Sequence, residues 1–279
     1  MLVLRSCARL YKKNILCRFP RGCVFIFFKN FLPIRRHLLV TMSSRPLVAE
    51  SSQDLFSTED TIQQASYAGN LPLVEILRKK GSKIIDRDED GRTPFHWAVA
   101  GNHSHLVRHF FAVDEENAAA AVNAQDDAGW TPLHSAVSSG YVEIASLLLE
   151  SGADPNTTTR QKRNPLHYIK GSVDVARVLV SHCSAECLNA RDEVGYTPLC
   201  RAATLGHVDV VSALLQAGAN INLANDEGNS PLHLACDECF KDMATLLLKA
   251  GAREDLKNRA GKTPVQLAPG ALKSLLLEA

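Results

Sequence analysis

From residue 61 onward, apolar and polar positions alternate in short helical bursts. Runs such as Val142, Ile144, Ala145, Leu147, Leu148 and Val208, Val210, Val211, Leu214, Leu215 recur at spacings that gather them on one helix face. These runs end on glycine followed by alanine, at Gly152-Ala153, Gly218-Ala219 and Gly251-Ala252. Glycine there accepts the left-handed conformation that closes a helix. A shorter segment precedes each run, opening on Thr, Ser or Asn followed by Pro and holding a small residue (Ala98, Ala136, Ala202, Ala235, Ala268). The residue before proline has an oxygen that can cap the helix. Proline at the first helical position loses nothing, because its missing N–H would have had no partner there. The pattern predicts pairs of short helices, with the alanines allowing the first helices to approach closely.

The pairs repeat. Gly91-Arg-Thr-Pro-Phe-His96 recurs as Gly129-Trp-Thr-Pro-Leu-His134, Lys162-Arg-Asn-Pro-Leu-His167, Gly195-Tyr-Thr-Pro-Leu-Cys200, Gly228-Asn-Ser-Pro-Leu-His233 and Gly261-Lys-Thr-Pro-Val-Gln266. The prolines Pro94, Pro132, Pro165, Pro198, Pro231 and Pro264 lie 38, 33, 33, 33 and 33 residues apart. A degenerate unit, Thr61 to Asp86, precedes them with helices near Ile62 to Ala68 and Leu71 to Lys80. The last, Thr263 to Ala279, is short. Both have the character of caps, whose outer faces meet water. The fold class is therefore all-α, a solenoid of about seven helix-turn-helix units over residues 58–279. Two departures stand out. The long interval places extra residues at Asp114 to Ala121, as a longer second helix or a loop. In the unit from Arg160 to Ala190, Lys162 replaces Gly, Ile169 replaces Ala, the hairpin at Lys170-Gly171 is two residues shorter, and the stretch from His182 to Cys187 is two longer.

Charge separates this body from what precedes it. The chain has 31 basic and 30 acidic residues; nine of the basic ones and none of the acidic ones lie in residues 1–41, leaving 22 against 30 in 42–279. Residues 1–57 are expected to be a basic leader and linker, disordered or outside the mature protein. Three readings stand for the leader: Met42 as the working start, an Arg-rich organellar (mitochondrial) targeting segment, or a functional basic tail. Pro20 and Pro33 interrupt any long amphipathic helix, and the uncharged stretch from Gly22 to Phe28 is short for a secretory signal. The acidic body disfavours nucleic acid as a partner. No apolar run is long enough to cross a membrane as a helix. Cysteines are scattered without a framework, as in a reducing compartment, and the expected location is cytoplasm and nucleus.

Several groups imitate chemistry. Asp86-Arg-Asp88-Glu-Asp90-Gly91 opens like a calcium loop, but its twelfth position is Trp97 and Pro94 starts a helix inside it. Gly261-Lys262-Thr263 lacks the earlier glycine of a phosphate loop, because Leu256 stands there. Cys236-x-x-Cys239 has no second ligand pair. No nucleophile elbow or zinc-protease motif is present, so neither an enzyme nor a cofactor or metal is expected. Leu234-Ala-Cys236-Asp-Glu238 matches the L-x-C-x-E peptide bound by retinoblastoma-type pocket proteins, but it starts inside a first helix, which favours packing.

The T-P-L-H-x-A phrase and its period resemble the ankyrin repeat. The resemblance implies turns and first helices lining a concave contact face, and histidines His96, His134, His167 and His233 that hydrogen-bond within the turns. Residues at or near that face are Arg92, Trp97, Asp127, Trp130, Tyr168, Lys170, Glu193, Tyr196, Asp226 and Glu227. Thr93-Pro-Phe-His-Trp-Ala98, Val122 to His134, Asp226 to Glu238 and Lys262 to Ala268 further resemble the gankyrin branch of the family, assembly chaperones of the proteasome 19S regulatory particle. That resemblance implies a monomer gripping the C-terminal domain of a base ATPase. Arg92 and Lys170 would face partner acids, Asp127 with Glu193, Asp226 or Glu227 would face partner bases, and Trp97 and Trp130 would be anchors. It also brings a pocket protein or a cyclin-dependent kinase into view as partners. The alternative is a general adaptor or an inhibitor of a kinase or transcription factor. A ubiquitin-ligase recruiting subunit would need a ligase-binding box after the array.

Overall fold

The computed structural model describes residues 61–269, all within the second of the chain's two units, Gln53–Ala279. The leader, the expected boundary at 57/58 and the end of the last repeat lie outside the described residues. Among the described residues there are helices and turns and no strand. None of these helices is long and apolar enough to cross a membrane.

The helices come in the predicted pairs. They are α1 (Ile62–Tyr67) with α2 (Leu71–Lys79), α3 (Pro94–Ala100) with α4 (Ser104–Val113), and α6 (Pro132–Ser139) with α7 (Val142–Glu150). A one-turn 3-10 helix, η1 (Pro165–Tyr168), pairs with α8 (Val173–Val180), α10 (Pro198–Thr204) with α11 (Val208–Gln216), and α12 (Pro231–Asp237) with α13 (Lys241–Lys249). The described part of the seventh unit is α14 (Pro264–Leu267). Six proline markers begin equivalent first helices, each preceded by an extended N-cap residue, Thr93, Thr131, Asn164, Thr197, Ser230 or Thr263. Successive first helices touch along one row, and α4, α7, α8, α11 and α13 along a second. The alanines at the close-approach position, Ala98, Ala136, Ala202, Ala235 and Ala268, are all buried.

The departures resolve in physical terms. The extra residues of the long interval form neither a longer helix nor a loop. They make a separate helix, α5 (Glu115–Ala121), because Asp114 leaves the helical conformation and its side chain caps the new N-terminus through the Asn117 amide at 3.4 Å. In the central unit the shortened hairpin leaves room for only one turn, and the chain exits η1 at Ile169 with ψ 119°. A branched side chain at the alanine position is thereby carried outside a helix. Gly171 makes the reversal at φ +85°, and a Cβ there would stand 3.3 Å from the His207 ring. The two added residues downstream build α9 (Ala185–Leu188), with Ser184 as N-cap.

Candidate functional site

Four of the turns between units are built around one Asp or Asn side chain six residues before the proline. Asp88, Asp126, Asp192 and Asn225 each use Oδ1 to accept two turn amides at 2.8–3.1 Å, for example Ala128 and Trp130 on Asp126. Adjacent tips are then stitched by backbone bonds: Asp127 N–H to the Asp90 carbonyl (2.9 Å), Arg160 to Ala128 (3.0 Å), Glu193 to Gln161 (3.0 Å), Asp226 to Val194 (3.3 Å) and Arg259 to Glu227 (2.9 Å). Gly129 permits this approach, since a Cβ on it would lie 2.9 Å from the Arg160 nitrogen. The turns form one connected edge rather than separate loops.

The second carboxylate oxygen is where the units differ. Asp88 Oδ2 accepts from Trp97 Nε1 at 2.7 Å. Asp126 Oδ2 accepts from Arg92 Nε at 3.3 Å, and the Arg92 guanidinium lies 5.3 Å from the Trp97 ring. Asp192 Oδ2 is fully buried between Arg163 Nε (3.1 Å) and Arg201 Nε (3.0 Å). Burial would push the Asp192 carboxyl up. The Arg201 guanidinium, the Tyr196 amide and Arg163 outweigh it and hold the group below the ordinary carboxylate range.

The four histidines have structural bonds. The backbone N–H of Thr93, Thr131, Asn164 and Ser230 donates to Nδ1 of His96, His134, His167 and His233 at 3.1–3.2 Å. An amide can only donate, so Nδ1 is the bare nitrogen and Nε2 carries the proton. Nε2 donates to the carbonyl of the next turn, at Trp130, Arg163, Tyr196 and Lys262 respectively, at 3.0–3.2 Å. Each imidazole therefore bolts its own helix start to the following repeat. Burial drives all four below the usual histidine value, with His134 and His167 lowered to about 4.

The residues expected to meet a partner divide into two sets. Asp127, Lys170 and Glu193 are exposed. Trp130 and Tyr168 stand side by side, their ring centroids 4.7 Å apart. With Asp127, Ala128, Arg160 and Gln161 they line an open groove of about 520 Å³. Arg92 and Trp97 belong to the internal bonding of the turns, as described. Tyr196 lies under the Arg201 guanidinium at 4.5 Å. Asp226 pairs with Arg191 at 2.9 Å and Glu227 accepts from Asn229 at 3.0 Å, both at the surface. The L-x-C-x-E segment is not an accessible peptide: Leu234, Ala235 and Cys236 are buried within α12, and only Asp237 and Glu238 are exposed. Cys236 and Cys239 do not act together either. Cys239 is exposed in the left-handed turn position (φ 63°) that Gly140 and Gly206 occupy in other units. Arg160, Arg163, Asp192 and Arg201 were not singled out from the sequence, although aligning the units on proline puts Asp192 level with Asp88 and Arg201 level with Trp97.

Comparison with known proteins fits this geometry. A family model described as "Ankyrin repeats (3 copies)" matches residues 62–159, 153–225 and 171–258. The chain belongs to the ankyrin-repeat family. It is a protein-binding scaffold, a fold that is typically non-enzymatic. It is 32% identical over 151 residues to "Probable 26S proteasome regulatory subunit p28" of Saccharomyces cerevisiae, covering 52% of this chain and 63% of that protein. It is 37% identical over 96 residues to "26S proteasome non-ATPase regulatory subunit 10" of Dictyostelium discoideum, covering 34% of this chain and 40% of that one. The ankyrin repeat domain of human ASB11 superposes with a TM-score of 0.67 at 26% identity, over 78% of this chain and 97% of the domain. The matches thus span from two-fifths to less than two-thirds of the proteasome relatives' lengths.

Proposed function

We propose that this chain is a gankyrin-like assembly chaperone of the proteasome regulatory particle, gripping the C-terminal domain of a base ATPase along its row of turns and first helices. The observation that carries the reading is the likeness to two proteasome regulatory subunits from distant organisms. The turn face supplies suitable chemistry. Trp130 and Tyr168 offer an aromatic groove for a partner's apolar anchor. Asp127 and Glu193 are free to meet cations, while Lys170 and Arg160 meet acids. Arg92 acts indirectly, by holding Asp126 and hence the tip that carries Asp127. Occupying the ATPase domain would block the base from docking on the core particle until assembly is complete, and would place the protein in cytoplasm and nucleus.

The test uses exposed positions so that the fold is kept. An Asp127→Lys/Lys170→Glu double variant is expected to bind a purified base-ATPase C-terminal domain at least about tenfold more weakly than wild type, the scale of two interface charge reversals. Equal binding would contradict the reading. A general adaptor is the second reading, favoured by the broad match to the ASB11 domain. Proteins co-purified with the full chain separate the two.

A further inference from the structure

The insertion that builds α9 brings two thiols together. Cys183 is the residue before the N-cap Ser184, and Cys187 is the third residue of the helix, whose amide donates to Ser184 Oγ at 3.3 Å. An N-cap turn folds the preceding residue back over the first turn of its helix. The two sulfurs consequently sit 3.0 Å apart, well inside the ~3.6 Å at which two non-bonded sulfur atoms touch and about 1 Å from the ~2.05 Å of a disulfide. Cys183 is partly exposed and Cys187 is buried. The Cys187 thiol donates to the Cys183 sulfur, so the pair can carry one negative charge while keeping one shared proton. Asn164 Nδ2 also donates to the Cys187 sulfur, at 3.4 Å.

We propose that Cys183 and Cys187 are a redox-modification site, forming a reversible disulfide with a peroxide as oxidant. Loss of one proton leaves a negative charge that the S–H···S contact can pass between the sulfurs. The accessible Cys183 thiolate attacks a peroxide oxygen, the O–O bond breaks, hydroxide leaves, and Cys183 becomes a sulfenic acid. The Cys187 sulfur then attacks the Cys183 sulfur. The S–S bond forms as the S–O bond breaks, and the departing hydroxide leaves as water with the Cys187 proton. Two thiols lose two electrons, and hydrogen peroxide becomes two waters. The site adjoins the central unit's weakest element: Asn164, whose side chain also donates to the Cys187 carbonyl at 2.9 Å, is the N-cap of η1, which carries Tyr168.

The test uses the full-length protein. After reduction, exposure to hydrogen peroxide and alkylation with iodoacetamide in guanidinium, tryptic cleavage after Arg177 and Arg191 releases both cysteines on one peptide. The expected product is that peptide unalkylated and lighter by two hydrogens, converted to the doubly alkylated form when dithiothreitol precedes the alkylation. Two alkylated cysteines at a dose that oxidises the exposed Cys239 would overturn the proposal. So would sulfinic acid on Cys183, or cross-links from either residue to other cysteines.

Discussion

At the scale of the residue, protonation is coupled to the bolts between repeats. His134 and His167 titrate near 4 in the folded chain against 6.5 when exposed, because burial disfavours the charged imidazolium more than the hydrogen bond to the next turn's carbonyl favours it. Between those values the unfolded chain binds protons that the folded chain does not. Stability is therefore full above pH ~6.5 and falls as pH drops toward ~4, by on the order of 3 kcal/mol per histidine. Asp192, held low by its two arginines, adds to the loss in the same direction below the ordinary carboxylate range. Urea midpoints at pH 7 and pH 4.5 should differ accordingly. A His134→Gln variant should show a smaller difference, since glutamine keeps the cap bond without titrating, as Gln266 does for the Thr263 amide at 3.0 Å. Asp192→Ala is expected to cost about 3 kcal/mol in denaturant unfolding, because it strands two partly buried guanidinium groups and two turn amides. Asn225 shows the converse. Tyr196 and Leu234 take the places of the arginines there, and a neutral amide avoids an unpaired buried carboxylate, although its Nδ2 has no partner among the described residues.

At the scale of the element, the sequence is legible where a helix is set by local rules. Thr-Pro starts, apolar faces and glycine ends place α3, α6, α7, α10, α11, α12 and α13 because caps and burial agree. The central unit was harder to read. Shortening by two residues does not tell whether a helix shifts or shrinks; in the folded chain it shrinks to one 3-10 turn, followed by the Gly171 reversal beside His207. Separate α5 was likewise hidden, since a run of alanines suits either a continued helix or a new one, and the break depends on Asp114 turning to cap. Lys162 marks a cost in the same unit. It holds φ 56° where the other five copies use glycine. Lys162→Gly should stabilise the protein by roughly 1 kcal/mol in thermal or chemical melts. No gain, or a loss, would mean that the lysine side chain has a compensating contact.

At the scale of the whole molecule, the main contacts of each described unit are with its neighbours, so the stacked rows and the stitched tips make one edge from many turns. That edge was visible in outline from the repeat period. Its division of labour was not. Arg92 and Trp97 look like free contact residues in the sequence, and only three-dimensional proximity reveals that Asp126 and Asp88 already engage them. Arg160 escaped notice because its role comes from lying beside Trp130 and Tyr168 across two repeats. The central claim is that this edge, through its aromatic groove, holds a proteasome ATPase. Affinity purification of the full chain followed by quantitative mass spectrometry tests it directly, comparing wild type with Trp130→Ser/Tyr168→Ser at matched folded content. The account predicts that base ATPase subunits are enriched with wild type and fall at least about tenfold with the variant, as the loss of two aromatic anchors requires. Recovery of the same ATPase subunits by both proteins, or by neither, would contradict it.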